Sequence, residues 1–202
     1  MRVRTEARRE SILATAGAAF MELGYEGASM AEIASRADCS KQTLYGYFTS
    51  KEELFLGVIG HGVDRAVDPL LEELLAAAGE DPRQVLKRFG ERFLVVTLAP
   101  EAIAMKRLII AQMGDPALSK RFWEMGPQRY LATIQSYLAE ATRAGRLAVS
   151  DPSVAAHQLS ALYYAETYNA GLFAGGHGFT HEAIKKLVGR AVDAFVGLYG
   201  AS

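Results

Sequence analysis

Residues 29–48 read Ser29-Met30-Ala31-Glu32-Ile33-Ala34-Ser35-Arg36-Ala37-Asp38-Cys39-Ser40-Lys41-Gln42-Thr43-Leu44-Tyr45-Gly46-Tyr47-Phe48, and the pattern is two short helices joined by a tight turn. Ser29 followed three residues later by Glu32 is a capping box, in which each side chain satisfies a backbone donor that the first turn leaves unpaired. Met30, Ile33 and Ala34 face inward from the first helix. The turn Ala37-Asp38-Cys39 needs a residue tolerant of left-handed geometry, and Asp is among the few non-glycine residues that accept it. Ser40 then caps the second helix, from which Leu44 and Phe48 point to the core. Lys41, Gln42, Thr43, Tyr45 and Tyr47 are left on or near its outer side.

Such a face suits the major groove of duplex DNA. The helix dipole and its unpaired N–H groups favour phosphate, and Lys and Tyr add contacts that set the register. Gln42 and Thr43 can address base edges. Lys51, at the start of the following helix, stands where it could pin the backbone on the far side. An exposed polar helix of ordinary composition has the same periodicity, so spacing leaves both readings open.

Outward from this stretch nearly every segment scans with the 3.6-residue period, without a sustained strand alternation. Helices are expected over 5–23, 30–36, 41–48, 51–78, 82–98, 101–113, 116–144, 152–174 and 180–199. In the first, Ile12, Ala16, Ala19, Phe20 and Leu23 fall on one side. Asp81–Pro82, Asp115–Pro116 and Asp151–Pro152 read as N-cap plus first-turn proline. Asp68–Pro69 reads as a kink within a long helix, and Gly126–Pro127 as a break or bend. The fold class is all-α.

The chain has 202 residues, 50% hydrophobic and 22% charged, with a formal net charge of -1. That balance excludes a disordered or fibrous chain and a protein that coats nucleic acid by bulk charge. The charge is nevertheless uneven: Arg2, Arg4, Arg8 and Arg9 stand against Glu6 alone in the first nine residues. Glu6 and Glu10, with the helical period of 12–21, argue against a signal peptide. The single cysteine, Cys39, excludes an internal disulfide framework and fits a reducing cytoplasm, and its side chain reads as a small buried hydrophobe. No segment has the length of a membrane span, so no membrane partner is expected.

The series Ala14-Thr15-Ala16 through Phe20, Leu23-Gly24-Tyr25, Met30-Ala31-Glu32-Ile33-Ala34, Ser40-Lys41-Gln42-Thr43-Leu44-Tyr45 and Tyr47-Phe48-Thr49-Ser50-Lys51-Glu52-Glu53-Leu54-Phe55 resembles the DNA-binding domain of TetR-family transcriptional regulators. It covers about the first 55 residues in order. The departures are Asp38, where the family usually has Gly, Gly46, where a larger residue is common, and Cys39 in place of the usual Val. The stretch Arg107-Leu108-Ile109-Ile110-Ala111 through Phe122, with Gly126-Pro127, Tyr130-Leu131, Tyr137-Leu138, Gly145-Arg146-Leu147 and Asp151-Pro152, is similar to the AefR-like C-terminal domains. The resemblance implies a DNA-binding domain over residues 1–51, with Ser29, Ser40, Lys41, Gln42, Thr43, Tyr45, Tyr47 and Lys51 at the DNA. It implies an effector-binding and dimerisation domain over 52–202.

The second domain carries bulky apolar stripes that serve equally as core or as pocket wall. Phe89, Phe93, Met105, Ile109, Met113 and Trp123 are the apolar candidates for an effector site. His61, Gln112, Tyr130, Tyr164 and Asn169 are the polar ones. Leu159, Leu162, Tyr163, Glu166 and Ala170 share one side of a helix, as do Ile184, Leu187, Val188, Ala191, Phe195 and Leu198, and these two faces are expected to associate into a four-helix bundle of a homodimer. His177 and His181 are a weak metal pair with no clear carboxylate partner, and no catalytic motif or cofactor is expected. The expected function is a cytoplasmic repressor that binds a palindromic double-stranded DNA operator as a dimer and answers a small, largely apolar effector. The alternatives are a small-molecule binding module with vestigial DNA contacts, or an all-α enzyme using the same cavity.

Overall fold

The computed structural model describes residues 2–112, 114–173 and 179–201, and these form twelve helices: α1 Arg2–Gly27, α2 Met30–Arg36, α3 Lys41–Tyr47, α4 Lys51–Ala66, α5 Asp68–Ala76, α6 Pro82–Thr97, α7 Pro100–Ala111, α8 Pro116–Met125, α9 Pro127–Arg143, α10 Pro152–Tyr164, α11 Tyr168–Phe173 and α12 His181–Tyr199. Among the described residues there is no strand, only an isolated antiparallel bridge between Leu147 and Gly200. The chain packs as two units. The first joins residues 1–65 with 104–123, and the second joins 66–103 with 124–202. This packing boundary lies after most of α4, whereas the functional boundary expected from sequence falls between residues 51 and 52.

The first unit is built on α1. Ile12, Leu13, Ala16, Ala19 and Phe20 are buried, and Leu44, Phe48, Leu54 and Phe55 complete its core. Leu23 was expected on that face but is 38% exposed. The reason is Gly24, whose φ of 74° ends the regular helix and turns the chain so that Tyr25 takes the place. Its ring packs 5.9 Å from Phe20 and 4.9 Å from Phe55.

In the second unit α6 packs on α12, α9 on α10, α10 on α12, and α5 on both α6 and α9. The three Asp-Pro openings behave as expected. Asp81 accepts from Arg83 N, Asp115 from Ala117 N, and Asp151 from Ser153 N and Val154 N, at 2.8–3.0 Å. Asp68–Pro69 does not kink one long helix: α4 ends at Ala66 and α5 opens with Pro69 in its first turn. Pro69 lacks the N–H that continuation of α4 would use and clashes with the preceding turn, which favours a new helix start; Arg129 pairs with the Asp68 carboxylate at 2.6 Å. The helix expected over 152–174 is also divided, by the turn at 165–167 around the fully buried Thr167.

The expected association faces of α10 and α12 are corrected as well. Leu159, Tyr163, Ile184, Leu187, Val188, Ala191 and Phe195 are all 5% exposed or less, consumed by the chain's own core. Glu166 pairs with Arg190 through two hydrogen bonds of 2.6 and 3.0 Å, and Ala170 is exposed on α11. The apolar groups left outside on these helices are Val154, 49% exposed, and Leu198, 71% exposed. Val154 shares its side of α10 with Ala161 and Ala165, and Leu198 shares its side of α12 with Ala194 and Gly197, all exposed.

Candidate nucleic-acid interface and effector cluster

The α2-turn-α3 element is held by local chemistry at each joint. Ser29 Oγ accepts from Glu32 N at 3.1 Å. The Glu32 carboxylate accepts from Arg36 Nε at 2.7 Å, and Arg36 also donates to both carboxylate oxygens of Glu22 on α1, at 2.6 and 3.2 Å. Arg36 thereby holds the Glu22 carboxyl below the usual carboxylate range. The turn is a Schellman motif: Cys39 N donates to Ala34 O at 3.0 Å and Asp38 N to Ser35 O at 3.2 Å, with Asp38 left-handed at φ 48°. Cys39 is half-buried rather than buried, because the turn leaves it beside exposed Asp38 and Ser40.

Ser40 Oγ accepts from Thr43 N at 3.0 Å and lies 2.8 Å from Thr43 Oγ1. Leu44 and Phe48 are buried beneath α3, while Lys41, Gln42, Thr43 and Tyr45 are exposed and Tyr47 is half-buried. Ser29 is exposed at the head of α2. Gly46 is exposed, and a Cβ there would meet open space.

Two basic groups, Lys51 and Arg8, turn inward. Lys51 Nζ donates to Tyr25 O at 2.8 Å and to Glu26 O at 3.5 Å, and sits 4.4 Å from the centre of the Tyr25 ring. It caps the last carbonyls of α1, where the negative end of the helix dipole favours a cation. Arg8 Nη2 donates to Ala37 O at 3.0 Å and Asp38 O at 2.6 Å. Sequence reading also missed the box that opens α4. Glu53 N donates to Ser50 Oγ at 3.0 Å, and the Glu53 carboxylate accepts from Thr49 N and Thr49 Oγ1 at 2.7 and 2.6 Å. The spacing of Ser50 and Glu53 carried that signal.

Residues 12–58 match the family model for bacterial regulatory proteins of the tetR family, and residues 84–201 match that of the AefR-like transcriptional repressor C-terminal domain. The chain belongs to the TetR family of transcriptional regulators. A TetR-family regulator structure from Mesorhizobium loti MAFF303099 is 30% identical, with a TM-score of 0.89 and 98% of each chain covered. The Flavonoid-responsive Regulator FrrA is 28% identical, with a TM-score of 0.76, covering 96% of this chain and 98% of that one. The transcriptional activator FasR of Mycolicibacterium smegmatis is 39% identical over 92 residues, which are 46% of this chain. The match spans 41% of FasR's own length.

Four of the effector candidates of this TetR-family chain come together in its second unit. Phe93 stacks on Tyr130 with centroids 4.6 Å apart and on Phe89 at 5.4 Å, and meets Tyr164 edge-on at 6.0 Å. The Tyr130 hydroxyl is buried, with Ser160 beside it. Burial pushes its phenol well above the usual range, Tyr164 adds to this, and Ser160 opposes it only in part. Tyr164 is pushed up to about 12, chiefly by burial. The neighbouring Tyr163 donates to Leu86 O at 2.7 Å. Ring centroids 4.6–6.5 Å apart across Phe89, Phe93, Tyr130 and Tyr164 make the aromatic cluster closely packed.

The other candidates lie elsewhere. His61, Met105, Ile109, Gln112 and Trp123 belong to the first unit, and Trp123 is 48% exposed. Asn169 is exposed on α11. Met113 and His177 lie outside the described residues. A surface depression of about 570 Å³ between α5 and α9 is lined by Leu75, Ala78, Gln135, Ser136, Ala139, Glu140 and Arg143, none of them an expected effector residue. No helix among the described residues is long and apolar enough to cross a membrane.

Proposed function

We propose that this TetR-family regulator is a cytoplasmic repressor, without catalytic activity, that binds a palindromic operator as a homodimer and releases it when a small aromatic effector binds. One observation carries the DNA part: α3 exposes Lys41, Gln42, Thr43 and Tyr45 while Leu44 and Phe48 anchor it from beneath. The anchored helix can enter a major groove as a rigid reader, with Ser29 and Ser40 at helix starts where phosphate is favoured. Lys41 and the Tyr45 and Tyr47 hydroxyls set the register, while Gln42 and Thr43 read base edges. The direction of control follows the AefR-like repressor description of the C-terminal match.

The effector reading rests on the Phe89, Phe93, Tyr130 and Tyr164 cluster, whose faces suit a flat apolar ring and whose buried Tyr130 hydroxyl can donate to a ligand acceptor. The flavonoid response in FrrA's name supports that ligand chemistry. Because the cluster is packed, the ligand must select a minor, opened conformer. Moving an equilibrium from 1:99 to 99:1 takes about 5.5 kcal/mol of differential affinity. Dimerisation through the exposed side of α10 and α12 places Val154, Ala161, Ala194 and Leu198 at the two-fold axis.

The test uses a duplex selected by the 202-residue protein from a randomised pool. Fluorescence anisotropy should show binding that weakens steeply with salt and is lost in the Thr43→Ala, Tyr45→Ala double variant. Binding that is absent or insensitive to salt refutes the reading. A flavone added to the complex should release the duplex, and less so from Tyr130→Phe.

A further inference from the structure

Arg8 is the group whose position the DNA-reading face does not explain. It belongs to the cationic N-terminal run, yet its guanidinium is spent on two backbone carbonyls, Ala37 O at 3.0 Å and Asp38 O at 2.6 Å. Those carbonyls stand at the C-terminus of α2, where the helix dipole is negative and the last C=O groups lack intrahelical partners. They also flank the left-handed residue on which the whole turn depends. Asp38 holds φ 48° at the position of a Schellman motif that glycine fills at least cost, because a Cβ there crowds the neighbouring carbonyl. The direction in which α3 leaves the turn is set by that one conformation.

We propose that Arg8 is a positioning residue for DNA reading: by clamping Ala37 O and Asp38 O it holds the strained Asp38 turn and so fixes the orientation of α3. The proposal rests on the assignment of α3 as the DNA-reading helix. The chemistry fits guanidinium better than ammonium. A planar fork with several donors can serve two carbonyls at once, and a charged donor strengthens each bond. Nothing covalent is involved.

The rival role for an Arg near a DNA-reading helix is direct contact with phosphate, and the two roles predict opposite results. Three variants of the 202-residue protein are compared with the unsubstituted chain: Arg8→Met, which keeps an apolar stem, Asp38→Gly, and the two combined. The probe is the selected duplex described above, titrated at several salt concentrations. Arg8→Met is expected to bind about fivefold to tenfold more weakly with the slope of log affinity against log salt unchanged. Asp38→Gly, which removes the left-handed strain, should restore most of that affinity in the combined variant. A slope shallower by about one, as when Arg8 itself neutralises a phosphate, overturns the proposal. So does a combined variant as weak as Arg8→Met. Amide hydrogen exchange reads the turn without DNA. The Cys39 and Asp38 N–H groups, which close the motif onto Ala34 and Ser35, should exchange faster in Arg8→Met and recover in the combined variant. Unchanged exchange in Arg8→Met also overturns the proposal. If the unsubstituted protein selects no duplex, the DNA reading of α3 falls, and the exchange result still judges the clamp.

Discussion

Gly90→Ala should destabilise the protein, although alanine is the better helix former. Gly90 lies within α6, and a Cβ there would stand 2.6 and 2.8 Å from two ring atoms of Tyr163 and 3.0 Å from a Val188 methyl. Tyr163 is fully buried and anchored by its hydroxyl to Leu86 O at 2.7 Å, so its ring has no free direction in which to retreat. Helix propensity contributes about 1 kcal/mol in favour of alanine. Overpacking costs about 1–3 kcal/mol, and swinging the ring aside adds about 1–3 kcal/mol for an unpaired buried phenol. The net loss is about 3 kcal/mol, which lowers the urea midpoint by about 1.5 M for an m-value near 2 kcal/mol/M. Far-UV circular dichroism at one fixed protein concentration measures it. In a Tyr163→Leu background, where the ring is gone, the same alanine should cost at least about 1 kcal/mol less. A midpoint in Gly90→Ala equal to or above that of the unsubstituted protein would refute the claim that α6 meets α10 and α12 through this glycine.

Lys51→Met should lower stability by about 1–2 kcal/mol, since it removes a cap on α1 and a cation over the Tyr25 ring, yet leave the salt slope of duplex binding unchanged; a reduced slope would return Lys51 to the DNA. Alkaline pH should unfold the protein through its buried phenols. An unfolded tyrosine ionises near pH 10, whereas Tyr164 is held to about 12 and Tyr130 and Tyr163 higher still. Their contribution is therefore complete below pH 10 and is lost as pH rises, at about 1.4 kcal/mol per pH unit for each group. Phenolate absorbance at 295 nm from these three should appear together with loss of helix, and their reversible ionisation in a native-like protein below pH 11 would contradict the burial. Finally, Val154→Asp with Leu198→Asp should yield a folded monomer by light scattering, whereas an intact dimer would place the association surface elsewhere.

The helix-turn-helix element was legible because its rules are local. Ser29, Asp38 and Ser40 act on backbone groups within three residues, and Leu44 and Phe48 declare an inner side by spacing alone. The three Asp-Pro caps were legible for the same reason. The destinations of Arg8 and Lys51 were not, because each ends on carbonyls about 26–30 residues away, and nothing in a cationic run distinguishes a phosphate ligand from a helix cap. The division of α10 from α11 was equally hidden, since Ala165-Glu166-Thr167 contains no breaker.

For α10 and α12, periodicity identified an apolar side correctly and could not say whether the chain itself or a second copy covers it. Burial of Tyr163, Val188 and Phe195 answers that, and leaves Val154 and Leu198 as the large apolar groups exposed on these two helices. The aromatic residues of the second domain present the same ambiguity. Their spacing marks them as inward-facing, but only packing brings Phe89, Phe93, Tyr130 and Tyr164 into one cluster and buries the Tyr130 hydroxyl within it. Helices, caps and the exposed face of α3 follow from short-range hydrogen-bonding and hydrophobic spacing, which are written along the chain. Which cation caps which helix, and which apolar face stays open, depend on contacts between distant segments, and those exist only once the helices have packed.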